Sequence, residues 1–383
     1  MSPIRNPTAS SLRKLLDAVL LSSSDLDAFF LDHYPEVFKL LAGAMDRKQR
    51  ISKLFESRAV ADVLQRLRES HGEQVTQYES LLVEDTGRRI LKDEFELYEV
   101  LHEGPMSRLY RAWQRTTKVW RVVKELKVPL RDERSRQRFI QEVDILGKLQ
   151  SSHHVVRIID ADVDDQNTPW LAMELLQGES LAGYLERRSS LDWEEAYRLL
   201  TDICRALSVA HGSQPAIVHR DIKPENIFLQ TLEGGDPDDL IYIVKLLDFG
   251  LAKLLWESRP GLSSRGGIGT HPWMAPEQFD DGGQITPATD VWALGLLAFR
   301  LLTGSHYFPA ANQQKVAMGP LVAQILQDRM VPASERARQL GARCVLPEPF
   351  DRWFAGCVTR EVERRFKNAA DAIAAFRAAI PRA

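Results

Sequence analysis

Two short stretches hold polar side chains whose types and spacing suit a chemical site. Residues 219–229 (HRDIKPENIFL) place an acid at Asp221, a lysine at Lys223 and an amide at Asn226. Residues 244–253 (VKLLDFGLAK) add a second acid at Asp248. The side chains of Asn226 and Asp248 carry oxygens of the kind that hard divalent cations bind. The set fits a reaction in which an anionic group is positioned and its charge neutralised.

Further residues follow in the order that one enzyme family requires. They are Lys124 in RVVKEL, Glu142 in RFIQEVDIL, the Ala275-Pro276-Glu277 triplet, the stretch DVWALG at 290–295 and Arg365 in ERRF. With the H-R-D-x-x-x-x-N and D-F-G stretches, this ordered set resembles the protein kinases. The resemblance covers roughly residues 95–380, and it implies that Arg365 pairs with Glu277.

The resemblance implies a role for each polar residue of the two stretches. Asp221 is expected beside the attacking hydroxyl, and Lys223 is expected to hold the transferred phosphoryl group. Asn226 and Asp248 are expected to ligate Mg²⁺. His219 is expected to pack and to form hydrogen bonds and not to act as the base.

The same resemblance implies an ATP site. Lys124 is expected to hold the α- and β-phosphates, oriented by an ion pair with Glu142. Met173, Glu174 and Leu176 occupy the segment that is expected to contact the nucleotide between the lobes.

The stretch LHEGPMSRLYRAW, residues 101–113, stands where the glycine-rich loop of a kinase is expected. Against the pattern G-x-G-x-x-G-x-V, His102 and Ser107 replace two glycines, and Gly104 is kept. Glycine permits close approach of the backbone to phosphates, and Pro105 removes one N–H donor. We therefore expect a functional but weakened clamp. Its expected nucleotide contacts are Leu101, Gly104, Ser107, Leu109 and, on the next strand, Val122.

The substrate class follows from two features of the resemblance. The loop H-R-D-x-K-P-x-N, with Lys223, is similar to that of serine/threonine kinases, and the segment GTHPWMAPE with Thr270 agrees. Ser258, Ser263, Ser264 and Thr270 lie between Asp248 and Glu277 and are candidate phosphorylation sites. A phosphoserine there would have Arg220, next to Asp221, as a partner.

Hydrophobic periodicity indicates the elements that must position these residues. From Phe95 the period shortens toward two in YEVLHEG, SRLYRAW and VWRVVKEL, which predicts consecutive antiparallel strands. From Gly178 onward helices dominate, among them LDWEEAYRLLTDICRALSVAHG with Asp192 as its cap. We predict an α+β chain: a two-lobed protein-kinase fold at 91–383, preceded by a small all-α helical bundle at 1–90. The small lobe is expected at about 95–173 and the large lobe at about 174–380.

The first 90 residues contain no catalytic set. Apolar residues at Leu12, Leu15, Leu16 and Val19 follow helical spacing, and Ser24 is the expected cap of a second helix. Their short helices resemble death-fold-like or effector-associated adaptors, in size and helix rhythm and not by a sharp motif. Such an adaptor would associate with itself or with a separate partner. The alternative is a generic helical cap on the small lobe.

Composition excludes several classes of partner. The formal net charge of −3 provides no basic field for a nucleic acid, and the most apolar segment, residues 291–304, is too short for a bilayer and contains Arg300. The three cysteines form no metal or disulfide spacing, and Cys204 and Cys357 fall in apolar helical stripes. No secretory signal is recognised at the start. The sequence predicts a soluble, cytoplasmic protein.

Three hypotheses of different classes remain open at this point. The favoured one is an active cytosolic serine/threonine kinase that acts on protein substrates with ATP and Mg²⁺. The second is a pseudokinase or nucleotide-binding scaffold, suggested by the reduced glycine loop. The third is an assembly protein whose helical bundle carries the main role and whose kinase regulates it.

Overall fold

The structure is a computed structural model of the 383-residue chain. It describes residues 9–41, 45–77, 89–127, 130, 132–231, 242–249, 272–280, 282–313 and 316–379. The chain divides into two compact units, Met1–Arg89 and Ile90–Ala383.

The described part of the first unit is helical. Its helices are α1 (Ala9–Val19), α2 (Ser23–His33), α3 (Pro35–Phe38), α4 (Arg47–Ser57) and α5 (Val60–Gln77). The predicted stripe on α1 is confirmed, because Leu12, Leu15 and Leu16 are fully buried in a core cluster with residues of the other helices. This unit has its own apolar core.

The cap of α2 differs from the prediction. Ser22 caps the helix in place of Ser24: its Oγ accepts from the Asp25 amide at 3.1 Å, and the Asp25 carboxylate accepts from the Ser22 amide at 2.8 Å. The predicted cap would have placed Asp27 in the first turn. Asp27 instead accepts hydrogen bonds from Arg50 on α4 with both of its carboxylate oxygens. The reciprocal pair formed with Asp25 therefore decides which serine begins the helix.

The small lobe of the second unit is built on one sheet. Its strands are β1 (Ile90–Leu91), β2 (Phe95–Glu103), β3 (Ser107–Gln114), β4 (Val119–Leu126), β5 (Ile158–Val163) and β6 (Pro169–Glu174), in the order β1-β2-β3-β4-β6-β5. The predicted antiparallel strands β2, β3 and β4 are confirmed. Helix α6 (Glu133–Gly147) follows β4 and packs on β5.

The large lobe of the second unit is mainly helical. Its helices are α7 (Leu181–Arg187), α8 (Trp193–His211), α9 (Pro287–Thr303), α10 (Met318–Leu326), α11 (Ala333–Gln339), α12 (Glu348–Cys357) and α13 (Ala369–Phe376). A three-stranded sheet of β7 (Gly178–Ser180), β8 (Ile227–Thr231) and β9 (Tyr242–Leu246) lies beside them. Asp192 caps α8 as predicted, accepting from the Glu195 amide at 2.8 Å.

Helix α9 is the centre of this lobe. Apart from Pro287 and Arg300 its residues are buried, and it packs on α8, α12 and α13. Gly304 ends it with a φ of 75°, and an added Cβ would lie 2.5 Å from the Ser189 carbonyl oxygen, so only glycine fits. Cys204 and Cys357 are buried free thiols in this core, as predicted. Across the described residues, no helix is both long and apolar enough to cross a membrane.

Candidate active site

A cleft of 840 Å³ in the second unit brings together most of the predicted site residues. Those that line it are Gly104, Ser107, Leu109, Lys124, Met173, Asp221, Lys223, Asn226 and Asp248. Leu101, Val122, Glu142, Glu174 and Leu176 do not line it. The residues brought together come from the β2–β3 hairpin, from β4 and β6, and from the two stretches rich in polar residues.

The three polar residues of the first stretch form one hydrogen-bonded group. The Lys223 ammonium lies 2.8 Å from Asp221 Oδ2. The Asn226 Nδ2 group donates to the same oxygen at 2.7 Å and to the Asp221 carbonyl at 2.8 Å. A carboxylate held by two donors has a fixed direction, and Asp221 keeps about a fifth of its side chain exposed to the cleft.

The backbone of this loop is anchored by Asp290 on α9, a residue to which the sequence analysis gave no role. Asp290 is 1% exposed, and its carboxylate accepts from the His219 amide and the Arg220 amide, each at 2.8 Å. Arg220 has a φ of 66°, a conformation that non-glycine residues rarely adopt. Asp290 thus holds a strained turn directly before Asp221. The signal in the sequence was the acid that opens DVWALG.

His211, at the end of α8, completes this anchor. Its Nδ1 accepts from the Ala369 amide at 3.2 Å, so the ring proton lies on Nε2. That Nε2 lies 2.9 Å from Asp290 Oδ2 and donates to it. The start of α13 therefore sets the tautomer of the imidazole that supports Asp290. The sequence analysis gave His211 no role, and nothing in its local pattern singles it out.

His219 is a packing residue, as expected. Its side chain is fully buried and lies 4.5 Å from the Phe249 ring, measured between centroids. Its Nε2 lies 2.8 Å from the Leu247 carbonyl, which fixes the proton on that nitrogen. Burial lowers the pKa of His219. Its Nδ1 accepts from the Asp221 amide at 3.4 Å, so both ring nitrogens are bonded to backbone groups, and His219 does not line the cleft.

The predicted ion pair between Lys124 and Glu142 is not formed. The Lys124 ammonium lies 2.5 Å from Asp248 Oδ1, and within the described residues Glu142 on α6 has no ion-pair partner. Asp248 has a φ of 55°, a conformation that non-glycine residues rarely adopt. The sequence order of Lys124 and Glu142 could not show that Asp248 takes the ammonium.

The hairpin over the cleft is closed by its backbone. The Gly104 amide donates to the Ser107 carbonyl at 2.9 Å, and the Lys127 amide donates to the Met106 carbonyl at 2.8 Å. Gly104, Pro105, Met106 and Ser107 all line the cleft. Leu101 is 47% exposed and does not line the cleft, and its contact with a nucleotide stays a prediction. Val122 lies on β4 opposite Met173 on β6.

The segment between the lobes contributes unequally to the cleft. Met173 lines it, whereas the Glu174 carboxylate is engaged by Lys245 at 2.8 Å and by the Arg157 amide at 2.8 Å. The Glu174 amide also donates to the Arg157 carbonyl at 3.0 Å. Leu176 is half-buried beyond the end of β6. The Glu174 carboxylate is therefore occupied by these two partners, and the nucleotide contacts of Glu174 and Leu176 stay predictions.

The pair of Glu277 and Arg365 is confirmed. The two terminal guanidinium nitrogens of Arg365 donate to the Glu277 carboxylate, at 2.8 and 2.9 Å, and both side chains are buried. Gln278, next in the chain, donates to the Arg220 carbonyl at 2.9 Å. A buried bidentate pair thus fixes the segment that contacts the Asp221 loop.

Some predicted features lie outside the described residues. They are the candidate phosphorylation sites Ser258, Ser263, Ser264 and Thr270, together with Gly250. The part of the chain that the structure describes holds no cluster of three His, Cys, Asp or Glu side chains suited to a metal ion.

The sequence matches a known family model. The model described as "Protein kinase domain" matches residues 95–368. Serine/threonine-protein kinase A of Synechocystis sp. is 34% identical over 225 residues, which are 57% of this chain and 42% of that protein. Serine/threonine-protein kinase PknH of Mycobacterium tuberculosis is 31% identical over 289 residues, 74% of this chain and 42% of that protein. The chain spans less than half the length of these curated relatives.

A solved structure agrees in fold. The crystal structure of the kinase domain of PknI of Mycobacterium tuberculosis matches with a TM-score of 0.55 at 19% identity, and the match covers 76% of this chain and 98% of that chain. At this identity the likeness shows the fold alone. The family model, in contrast, matches residues 95–368 and thus well over half of the 383 residues. The chain therefore belongs to the protein kinase family, and its curated relatives are serine/threonine-protein kinases.

Proposed function

We propose that this chain is a serine/threonine protein kinase, which transfers the γ-phosphate of ATP to Ser or Thr hydroxyls of protein substrates. The observation that carries the proposal is the meeting of Asp221, Lys223 and Asn226 with Asp248 and Lys124 along one cleft. Each of these residue types serves phosphoryl transfer, in which the protein positions groups and neutralises charge.

Asp221 is the proposed base. Its Oδ2 is shared by the Lys223 ammonium and the Asn226 amide, so the carboxylate is oriented before a substrate hydroxyl arrives. Lys223 is the proposed ligand of the transferred phosphoryl group, since its ammonium lies beside the same oxygen. The acceptor hydroxyl loses its proton to Asp221 as its oxygen bonds to the γ-phosphorus, while the bond from that phosphorus to the β,γ-bridging oxygen breaks and ADP leaves.

Asn226 and Asp248 are the proposed metal ligands. Asn226 uses its Nδ2 group toward Asp221, which turns its amide oxygen away from that carboxylate and leaves it as an acceptor. Asp248 contributes a carboxylate that faces Lys124. These oxygen donors fit Mg²⁺, which supplies charge neutralisation on the phosphates when bound. Lys124 is the proposed ligand of the α- and β-phosphates.

The test is phosphate transfer by the purified chain. Wild type incubated with labelled ATP and Mg²⁺ should label itself or a generic protein substrate. Asp221→Asn should lower kcat about 10²- to 10⁴-fold and leave ATP affinity nearly unchanged, because the base is lost and the phosphate ligands remain. Equal turnover in both proteins would overturn the proposal. Binding of ATP with no transfer by wild type would favour the nucleotide-binding scaffold.

For residues 1–90 we propose an interaction or regulatory module that acts in the cytosol. The support is the separate apolar core of the first unit, in which Leu12, Leu26, Leu54 and Leu67 are fully buried. The three free cysteines fit a reducing compartment. An isolated 1–90 fragment should melt cooperatively and associate with itself or a partner, while a 91–383 fragment keeps phosphate transfer. A non-cooperative first fragment with an inactive second one would favour the structural cap.

A further inference from the structure

Three charged residues join the strand ends at the tip of the hairpin over the cleft. Glu103, the last residue of β2, accepts with its Oε1 from Arg108 Nη2 at 2.5 Å and from Lys127 Nζ at 2.8 Å. Arg108 lies near the start of β3, and Lys127 directly follows β4. One carboxylate oxygen therefore connects three consecutive strands. We call Glu103, Arg108 and Lys127 the tip cluster.

The tip cluster lies on the face of the sheet opposite the cleft. Neighbouring residues of a strand point to opposite faces, and Leu109 lines the cleft, so Arg108 and Tyr110 point away from it. Arg108 Nη1 lies 3.2 Å from the Tyr110 hydroxyl, and Tyr110 packs against the apolar core of the small lobe. No member of the tip cluster is among the described residues that line the cleft. Any effect of these side chains on a ligand in the cleft would therefore pass through the backbone of the hairpin.

The turn between Glu103 and Arg108 meets the cleft, together with His102 and Leu109 on the two strands. Residues 104–107 line it, and their turn is closed by the bond from the Gly104 amide to the Ser107 carbonyl. The bond from the Lys127 amide to the Met106 carbonyl ties the same turn to the end of β4. The tip cluster thus brackets the turn at both of its ends.

We propose that Glu103 is a positioning residue for nucleotide binding, which pre-orders residues 104–107 over the cleft through Arg108 and Lys127. The inference rests on the proposed function, because it concerns the affinity for ATP. A segment that is already ordered loses less conformational entropy when a ligand binds, and the affinity rises accordingly.

The ion pairs of the tip cluster persist at neutral pH, but they weaken as the salt concentration rises. Hydrogen bonds from Arg108 and then Lys127 lower the pKa of Glu103 to about 2. The carboxylate is therefore charged throughout the neutral range. The Glu103 side chain is 45% exposed, so salt screens the cluster.

The experiment compares Glu103→Gln with Glu99→Gln as a matched control. Glu99 also lies on β2 and pairs with Arg111 on β3, at 3.0 Å, but it is remote from the turn. ATP affinity is measured by calorimetry with Mg²⁺ at low and high salt. Amide exchange of residues 102–108 is measured without nucleotide, and transfer is measured at saturating ATP.

We expect Glu103→Gln to raise the Kd for ATP about two- to five-fold at low salt, with little change in kcat. The difference from wild type should shrink in 1 M salt, where the screening length falls to about 3 Å. Exchange in residues 102–108 should accelerate in this variant, and Glu99→Gln should match wild type in every measurement. Such a split between affinity and turnover is not expected from a general loss of stability.

Two outcomes distinguish a failure of the role given to Glu103 from a failure of the proposed function. If wild type binds ATP and Glu103→Gln equals Glu99→Gln in affinity and in exchange, the role of Glu103 is wrong and the proposed function stands. If wild type binds no ATP, the proposed function fails, and the inference fails with it.

Discussion

Two carboxylates anchor two regions of the molecule in opposite surroundings: Asp290 binds the loop that carries Asp221, and Glu103 joins the strand ends of the hairpin over the cleft. Asp290 is 1% exposed and accepts from two backbone amides and one imidazole. Glu103 is 45% exposed and accepts from two flexible cationic side chains. Hydrogen bonds to charge are much stronger in a low dielectric than in water. The loop with the proposed catalytic residues is therefore anchored rigidly, whereas the hairpin over the cleft is held by exposed ion pairs that can rearrange.

The largest effect is expected at the buried carboxylate. Asp290→Ala leaves the amides of His219 and Arg220 without their acceptor, and each buried unpaired donor costs about 1–3 kcal/mol. We expect a loss of roughly 2–5 kcal/mol in the free energy of unfolding and the loss of phosphate transfer. Denaturant unfolding and single-turnover labelling measure these effects.

Asp328→Ala is the matched control for that variant, because Asp328 is exposed and its hydrogen bonds to Ala323 and Arg360 use its backbone amide and carbonyl, which alanine keeps. It should resemble wild type in both measurements. If Asp290→Ala lowers the free energy of unfolding by less than about 1 kcal/mol and keeps phosphate transfer, Asp290 is not the stronger anchor of the two carboxylates.

Glu103→Gln is expected to have the intermediate effect, which is the rise of about two- to five-fold in the Kd for ATP at low salt.

The smallest effect is expected from Ser107→Gly, which restores a glycine of the kinase pattern. Removing the side chain lets the hairpin backbone approach the phosphates, while a glycine at the start of β3 loosens the strand. We expect the KM for ATP to fall about two-fold or less, and the melting temperature to fall slightly. An unchanged or raised KM would show that the serine is the adapted residue.

The sequence predicted those parts of the site that depend on ordered motifs. Asp221, Lys223, Asn226 and Asp248 sit in contiguous stretches, and the structure places all four along one cleft. The strand period predicted β2, β3 and β4, because alternation of side chains is a local property.

The sequence did not predict the side-chain contacts between residues that are far apart along the chain. Lys124 pairs with Asp248 and not with Glu142 among the described residues, and the order of these residues in the sequence does not show which carboxylate the ammonium meets. Asp290 and His211 are 79 residues apart, and no spacing rule joins them. In the first unit, the contact of Arg50 with Asp27 could not be read from α2 alone. Local periodicity carries none of this information.

The separation of the apolar cores has a consequence for inheritance. The described residues in the apolar core of the first unit all lie at or before Val75. Those in the two apolar cores of the second unit all lie at or after Leu91. A recombination event between these positions would exchange a whole core and divide none, among the residues that the structure describes. Lineages could thus join this kinase unit to different leading segments by crossing over in that interval, while the set of residues around Asp221 stayed intact.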